Sequence, residues 1–323
     1  MECAATSWSR QASMLSSLWS DFSHSSLQLG ELLINSDPFI SNCLIFVFLS
    51  LTSFVLGEIT DNYSQVDRLW SIAPVMYAFN YAVRPMWKGD LQWNKRLIVM
   101  FLLVLAWGTR LTFNFARKGG YSLSTEDYRW DYVRSFAWLR RRLARTCFNL
   151  FFVSVFQHFL LMAITFPFDV AYRSTPEPFN LVDHLASGLF ICFLTAEYVA
   201  DDQQWQFQSV KLNPRRKNAK HTNVFGADLS NGFLTHGLFR YSRHPNCFSE
   251  ICIWWTVYLY SVAVTKTLIN WSIIGALTAN SLIYAATFVT ERISCSKYPH
   301  YQQYIQDTSR LVPWLPRKNS KKS

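Results

Sequence analysis

Residues 237–250 read Gly-Leu-Phe-Arg-Tyr-Ser-Arg-His-Pro-Asn-Cys-Phe-Ser-Glu. Three cationic or potentially cationic side chains, Arg240, Arg243 and His244, precede Pro245, and an apolar run from Ile251 to Thr265 follows. Proline suits the first turn of a helix, where a missing N–H leaves no bond unmade. The segment predicts a basic loop that opens a membrane-buried helix. The free N–H groups and positive dipole end of such a helix, beside two arginines, describe an anion site. Asn246 and Glu250 are four apart and share a helical face one turn deeper. An amide and a carboxylate at that depth are expensive to bury alone. A polar ligand with a phosphate or carboxylate end is the expected partner.

Other polar residues interrupt apolar surroundings at helical spacing. Arg110, Asn114 and Arg117 stand at i, i+4 and i+7 and share one face. Arg117 has the reach to snorkel to an interface; Arg110 lies deeper and is expected to face a polar cavity. Glu197 and Asp201 repeat the four-residue spacing at the end of the 185–200 run. They read either as interfacial charges or as a face that receives ribose hydroxyls or pairs with Arg110. Asp67 lies in Val-Asp-Arg-Leu-Trp-Ser-Ile-Ala-Pro. It reads as an acid near a helix start or as an acid at the mouth of the cavity. Residues 119–130, opening with Gly119 and Gly120, read as a connector or as a cover over a planar ligand. Glu291 and Arg292 are expected to close the last span. Tyr298, Tyr301 and Tyr304 follow them and either anchor the membrane interface or close the mouth of the site.

The elements that must carry these residues are apolar helices. Half of the 323 residues are hydrophobic, with 26 Phe, 15 Tyr and 13 Trp. Charge-free runs occupy 38–57, 69–83, 97–109, 146–168, 185–196, 251–265 and 267–290. A spanning helix needs roughly 20 mostly apolar residues, so the runs predict an all-α, polytopic helical membrane bundle of about seven spans. Residues 1–35 form a polar, Ser-rich tail without the long apolar core of a cleavable signal peptide. One membrane domain is expected over 36–316, followed by a basic tail over 317–323.

The net charge of +10 is gathered into clusters: Arg140, Arg141, Arg142 and Arg145; Lys211, Arg215, Arg216, Lys217 and Lys220; Arg317, Lys318, Lys321 and Lys322. Two spans separate consecutive clusters, which puts all three on one face, the cytosolic one by the positive-inside rule. If three spans precede Arg117, the chain before the first span lies on the opposite face. Beside spans, such clusters set topology or touch anionic lipid rather than nucleic acid. The seven cysteines show no paired spacing and no metal-binding pattern, so neither disulfides nor a metal site is expected. The 11 dispersed glycines form neither a Rossmann nor a P-loop motif. A nucleotide would have to bind between helices near their cytosolic ends.

The 238–250 stretch resembles the R-x-S-R-H-P-N-Y-F-G-E signature of the steroid 5-alpha reductase C-terminal family. Val-Asp-Arg-Leu-Trp-Ser-Ile-Ala-Pro, Arg-Leu-Thr-Phe-Asn-Phe-Ala-Arg-Lys-Gly-Gly-Tyr and the terminal tyrosine pattern are similar to motifs of an uncharacterised membrane branch of that family. The resemblance covers about residues 60–315. It implies a multi-helix membrane fold in the endoplasmic reticulum with NADPH held near the cytosolic face. It also implies reduction of a carbon–carbon double bond in a lipophilic, sterol-like or enone substrate. Arg110, Asp201, Asn246, Glu250 and Tyr298 would contact NADPH, with Asn114 and Arg117 on the Arg110 face. Asn246 and Glu250 would hold the nicotinamide carboxamide, and Arg240, Arg243 and His244 would face its phosphates. Cys247 and Ser249 replace the signature's Tyr and Gly. The ketone-polarising pair of the steroid reductases has no match, and Asp67 is the nearest candidate acid. Two alternatives remain: an S-adenosylmethionine-dependent methyltransferase of the isoprenylcysteine carboxyl type, which shares the Arg-His-Pro helix start, and a non-catalytic protein that keeps the fold.

Overall fold

The computed structural model describes residues 36–87, 94–175, 177–213 and 219–316. The tails 1–35 and 317–323 lie outside the described residues, as do Arg215, Arg216 and Lys217 and the side chain of Lys220. Among the described residues the fold is entirely helical: α1 Pro38–Thr60, α2 Gln65–Leu69, α3 Ala73–Trp87, α4 Lys95–Arg117, α5 Tyr128–Arg134, α6 Arg142–Arg173, α7 Leu181–Leu212, α8 Ala219–Asn231, α9 Pro245–Thr265, α10 Ile273–Lys297 and α11 Tyr301–Asp307. A short 3₁₀ turn, Gly237–Arg240, precedes α9.

Local chemistry sets where the long helices begin. Asp37 accepts from Phe39 N at 2.9 Å and Pro38 takes the first position of α1. Asn94 accepts from Arg96 N and Leu97 N at the start of α4. Asn180 and Asp183 cap α7 reciprocally: Asn180 Oδ1 accepts from Val182 N, and Asp183 Oδ2 accepts from Asn180 N, both at 2.9 Å.

Six of these helices, α1, α4, α6, α7, α9 and α10, are long and apolar enough to cross a membrane. Their outward faces stay apolar: Phe48 is 66% exposed and Ile191 55%. Apolar surface on this scale needs hydrocarbon rather than water around it, and the protein is an integral membrane protein.

Among the described residues six helices meet this length and composition, against about seven spans expected. The 69–83 run forms a helix shorter than those six. The chain turns at Trp70–Ile72, and α3 begins only at Ala73 and has 15 residues. At 1.5 Å per residue that is about 22 Å, short of a hydrocarbon core of about 30 Å. It buries Tyr77, Ala78 and Tyr81 together with the polar Asn80 and Arg84. α3 nevertheless runs back along α1: Arg84 donates to Ser41 Oγ at 2.8 Å and Asn80 Nδ2 to Pro38 O at 3.1 Å, at the start of α1. Thr146 and Asn149, just after the Arg140–Arg145 cluster, bond Glu58 near the end of α1 at 2.9 and 2.8 Å, so that cluster lies at the end of α1 away from Pro38. The loop with Glu58, Asp61 and Asp67 lies at the same end as that cluster: Tyr63 donates to Arg145 O at 3.4 Å.

The described residues form two compact units. One comprises the chain up to Glu126, Ala137–Ala186 and Val257–Leu277; the other comprises Asp127–Phe136, Ser187–Thr256 and the chain from Thr278. In the first unit Trp107, Tyr77, Tyr81, Phe168 and Leu97 are fully buried. Gly275 brings the start of α10 against the backbone of Ala163 and Ile164, a contact any side chain would block. The core of the second unit gathers Ala200, Phe207, Phe225, Leu234 and Phe239.

Candidate functional site

The sequence-predicted residues divide between the units. Asp67, Arg110, Asn114 and Arg117 belong to the first; Asp201, Arg240, Arg243, His244, Asn246, Glu250 and Tyr298 belong to the second. In the first unit Asp67 is half-buried in the first turn of α2, and Ser71, one turn on, bonds the Thr112 hydroxyl at 2.7 Å. Arg110 is half-buried on α4. Arg117 donates to Asn114 Oδ1 at 3.0 Å and lies 5.6 Å over the Phe113 ring. The loop expected as a connector or cover is fastened on the 62–68 side. Arg68 donates to Ser122 O and Thr125 O, both at 2.9 Å, and Tyr63 N donates to Glu126 Oε1 at 2.6 Å.

In the second unit α7 and α9 present one polar face to each other. Glu197 and Asp201 lie four apart on α7, and Asn246 and Glu250 four apart on α9, within the apolar spans. Glu197, Asp201 and Glu250 are all less than a tenth exposed. Asn246 Nδ2 donates to Asp201 Oδ1 at 3.3 Å, and Trp254 Nε1 donates to Glu250 Oε1 at 2.9 Å. Cys247, where the signature has tyrosine, sits within electrostatic range of Arg129, Asp201, Glu250 and Glu197. Three carboxylates and one amide thus lie on a short stretch of two helices. The donor set is an amide beside a carboxylate one turn apart. A primary carboxamide matches it, because its NH₂ meets the carboxylate and its C=O meets the amide NH₂.

The basic loop is arranged differently from the expectation. Arg243 and His244 are buried and turn toward a residue of the chain itself. Glu291 on α10 accepts from Arg243 Nε at 2.6 Å and lies 3.2 Å from His244 Nε2. Its other oxygen meets Arg310 at 3.0 Å. Arg243 also donates to Ile305 O at 2.9 Å and to Thr308 O. The anion that these two basic residues meet is therefore Glu291, and Arg240 is the member of the trio that stays exposed. The N–H groups of Arg243 and His244 go to Ser309 O and Arg310 O.

Glu291 does not close the last span either: α10 continues to Lys297. Residues 298–316 then return along the basic loop as a strap. Trp314 N donates to Tyr241 O at 2.9 Å, and Tyr304 donates to Phe239 O at 2.5 Å. Burial pushes the Tyr304 hydroxyl well above the ordinary tyrosine range. Arg310 stacks 3.6 Å over the Phe288 ring. Tyr298 accepts from Lys211 Nζ at 2.8 Å and packs on Phe233 and on Gly232, which takes φ +85.

Sequence reading missed the roles of Glu291, Arg310, Trp254 and Arg129. Glu291 pairs across 48 residues and Arg310 with it from the strap, separations at which no periodicity signals contact.

No solved structure matches the chain. A protein of Schizosaccharomyces pombe, "Uncharacterized protein C594.04c", is 32% identical over 299 residues, which is 90% of this chain and 83% of that protein. The family model described as "Protein of unknown function (DUF1295)" matches residues 53–308, a stretch that carries the α7–α9 polar face and Glu291 with Arg243 and His244, and the chain belongs to that family.

Proposed function

We propose that this protein is a membrane-embedded, NADPH-dependent reductase of a carbon–carbon double bond in a lipophilic substrate. It would be of the steroid 5-alpha reductase type and reside in the endoplasmic reticulum, with its basic clusters toward the cytosol. The observation that carries the reading is the pairing of Asn246 with Asp201 across facing spans, with Glu250 held by Trp254 one turn along α9. Ionisable groups this deep in a membrane are retained for function as a rule. Asn246 and Glu250 would hold the nicotinamide carboxamide, and Asp201 would fix the amide of Asn246. Arg240, exposed before the helix start, would meet a phosphate, while Arg243 and His244 shape the loop through Glu291. NADPH supplies a hydride when bound; the chain supplies placement and a dry, charge-matched surround.

The experiment is NADPH titration of the detergent-purified protein and its Glu250→Gln and Asn246→Ala variants. Each variant removes a hydrogen bond to a buried polar group, about 1–3 kcal/mol, or roughly 5- to 150-fold in Kd. Unchanged affinity in both variants refutes the assignment. Binding of S-adenosylmethionine without NADPH turns the reading to the methyltransferase, and binding of neither leaves a non-catalytic protein.

A further inference from the structure

A second polar cluster lies inside the first unit, in a stretch whose composition is almost wholly apolar. Ser50 and Ser53 stand three apart on α1, and Ser154 and His158 four apart on α6. Ser53 Oγ and His158 Nε2 are hydrogen-bonded at 2.8 Å, which ties the two faces together. All four residues are buried, His158 and Ser154 completely. Ser50 Oγ, Ser154 Oγ and His158 Nδ1 have no protein partner among the described residues. Each such atom in a dry interior costs about 1–3 kcal/mol. Three within one or two helical turns is more than a bundle retains without return.

The backbone supplies an independent observation. Residues Asn149–Phe156 of α6 are wound as a π-helix, a geometry that is rare and recurs at functional sites. Asn149 and Ser154 are five apart; at the α-helical 3.6 residues per turn they would point about 140° from each other. The i→i+5 winding turns both inward, where both are fully buried. Asn149 then donates to Glu58 Oε1 at 2.8 Å, and Thr146 to Glu58 Oε2 at 2.9 Å, so the polar side of α6 continues toward the end of α1.

The donor set of the cluster is neutral: two hydroxyls, each able to donate and accept, and one imidazole nitrogen whose role follows the tautomer. No carboxylate or guanidinium belongs to it, so neither a metal ion nor an anion is matched. A buried water typically needs two to four polar partners, and the cluster holds three unpartnered atoms spread along about two helical turns. We propose that Ser50, Ser154 and His158 form an intramembrane binding site for a neutral oxygen-bearing group, either an ordered water or the hydroxyl or carbonyl of a lipid. His158 is the titratable group at its centre. The site lies in the first unit and does not depend on the reductase reading.

The test is ring-nitrogen NMR of the full chain, labelled with ¹⁵N-histidine and reconstituted in lipid bilayers. The His158 signals are assigned by their loss in His158→Gln. The expected result is a hydrogen-bonded shift at both ring nitrogens, with Nδ1 moving toward the unbonded value in Ser50→Ala/Ser154→Ala. Persistence of the bonded shift after delipidation, with transfer of magnetisation from water, identifies water. Loss on delipidation and recovery with a hydroxylated or carbonyl-bearing lipid identifies the lipid. An unbonded Nδ1 shift in native lipid overturns the proposal. So does a higher Tm of Ser50→Ala/Ser154→Ala, because removal of hydroxyls from a dry site stabilises while removal from a filled one does not.

Discussion

Glu291→Gln tests the cluster that anchors the strap. The carboxylate is buried and shared by Arg243 at 2.6 Å and Arg310 at 3.0 Å. Removing one partner of a buried pair costs about 3–5 kcal/mol because the remaining charge stays out of water. Arg243 keeps two carbonyl partners, Ile305 O and Thr308 O, and glutamine still hydrogen-bonds, so the lower end, about 3 kcal/mol, applies here. At about 1.4 kcal/mol per tenfold, the population of the detached strap rises about 10²-fold. Arg310→Ala is the control. Its side chain is 25% exposed, so its ion pair is screened to about 1 kcal/mol. The stack on Phe288 adds roughly 0.5–1 kcal/mol, and the detached population rises about 10- to 30-fold. Chymotrypsin reads this directly, because Tyr301 and Tyr304 are buried while the strap is docked. Cleavage of an opened segment follows its population when reclosing outpaces the protease. A smaller acceleration in Glu291→Gln than in Arg310→Ala, or none in either, refutes the reasoning.

Three further outcomes follow from the same structure. Gly232→Ala places a Cβ 2.7 Å from Tyr298 Cε1 at φ +85, and the left-handed backbone alone costs a non-glycine residue about 1–2 kcal/mol. Thermal unfolding in detergent should show at least that loss, and wild-type stability in the variant contradicts it. Arg96→Ala leaves Asp183, bonded at 2.8 Å and fully buried, without its guanidinium, for a loss of about 3–5 kcal/mol. The Arg96→Met/Asp183→Leu double variant should lose less than Arg96→Ala, and a larger loss in the double counts against the pair. Tyr304 has a folded pKa above its unfolded one because burial holds the neutral form. Its contribution is complete below about pH 10, the ordinary tyrosine value, and falls away as pH rises through the raised folded value. Thermal stability of the wild type should therefore decline above that pH more steeply than that of Tyr304→Phe, and equal slopes reject the link.

The fold was legible where a run of apolar residues was long enough to have one structural solution. The 38–57, 146–168 and 267–290 runs became α1, α6 and α10, with the start of α1 set by Asp37. The 69–83 run misled because composition does not record where a helix starts. Trp70–Ile72 turn, and the remaining 15-residue helix is shorter than the other long helices while still running back to the start of α1. The π-helical winding at Asn149–Phe156 was equally hidden, since an i→i+5 bond changes direction and not composition.

The candidate site was legible at the level of single helices and not between them. Spacing of four put Asn246 with Glu250 and Glu197 with Asp201 on common faces, and the structure joins those faces at Asn246 and Asp201. The same reasoning placed Arg243 and His244 beside a helix start and so assigned them an anion, which was sound chemistry with the wrong partner. A buried guanidinium takes the nearest anion that packing provides, and Glu291 lies 48 positions away on α10. That carboxylate then fixes the strap through Arg310, so the loop before Pro245 takes its shape from residues 291–314. Arg240 is the cation of the motif that the fold leaves exposed. An external phosphate at this loop should therefore depend on Arg240 directly, and on Arg243 only through the loop it holds. Arg240→Ala should weaken NADPH with the strap still protease-resistant, whereas Arg243→Ala should lose both together; equal effects of the two variants on binding and on strap cleavage count against this division of roles.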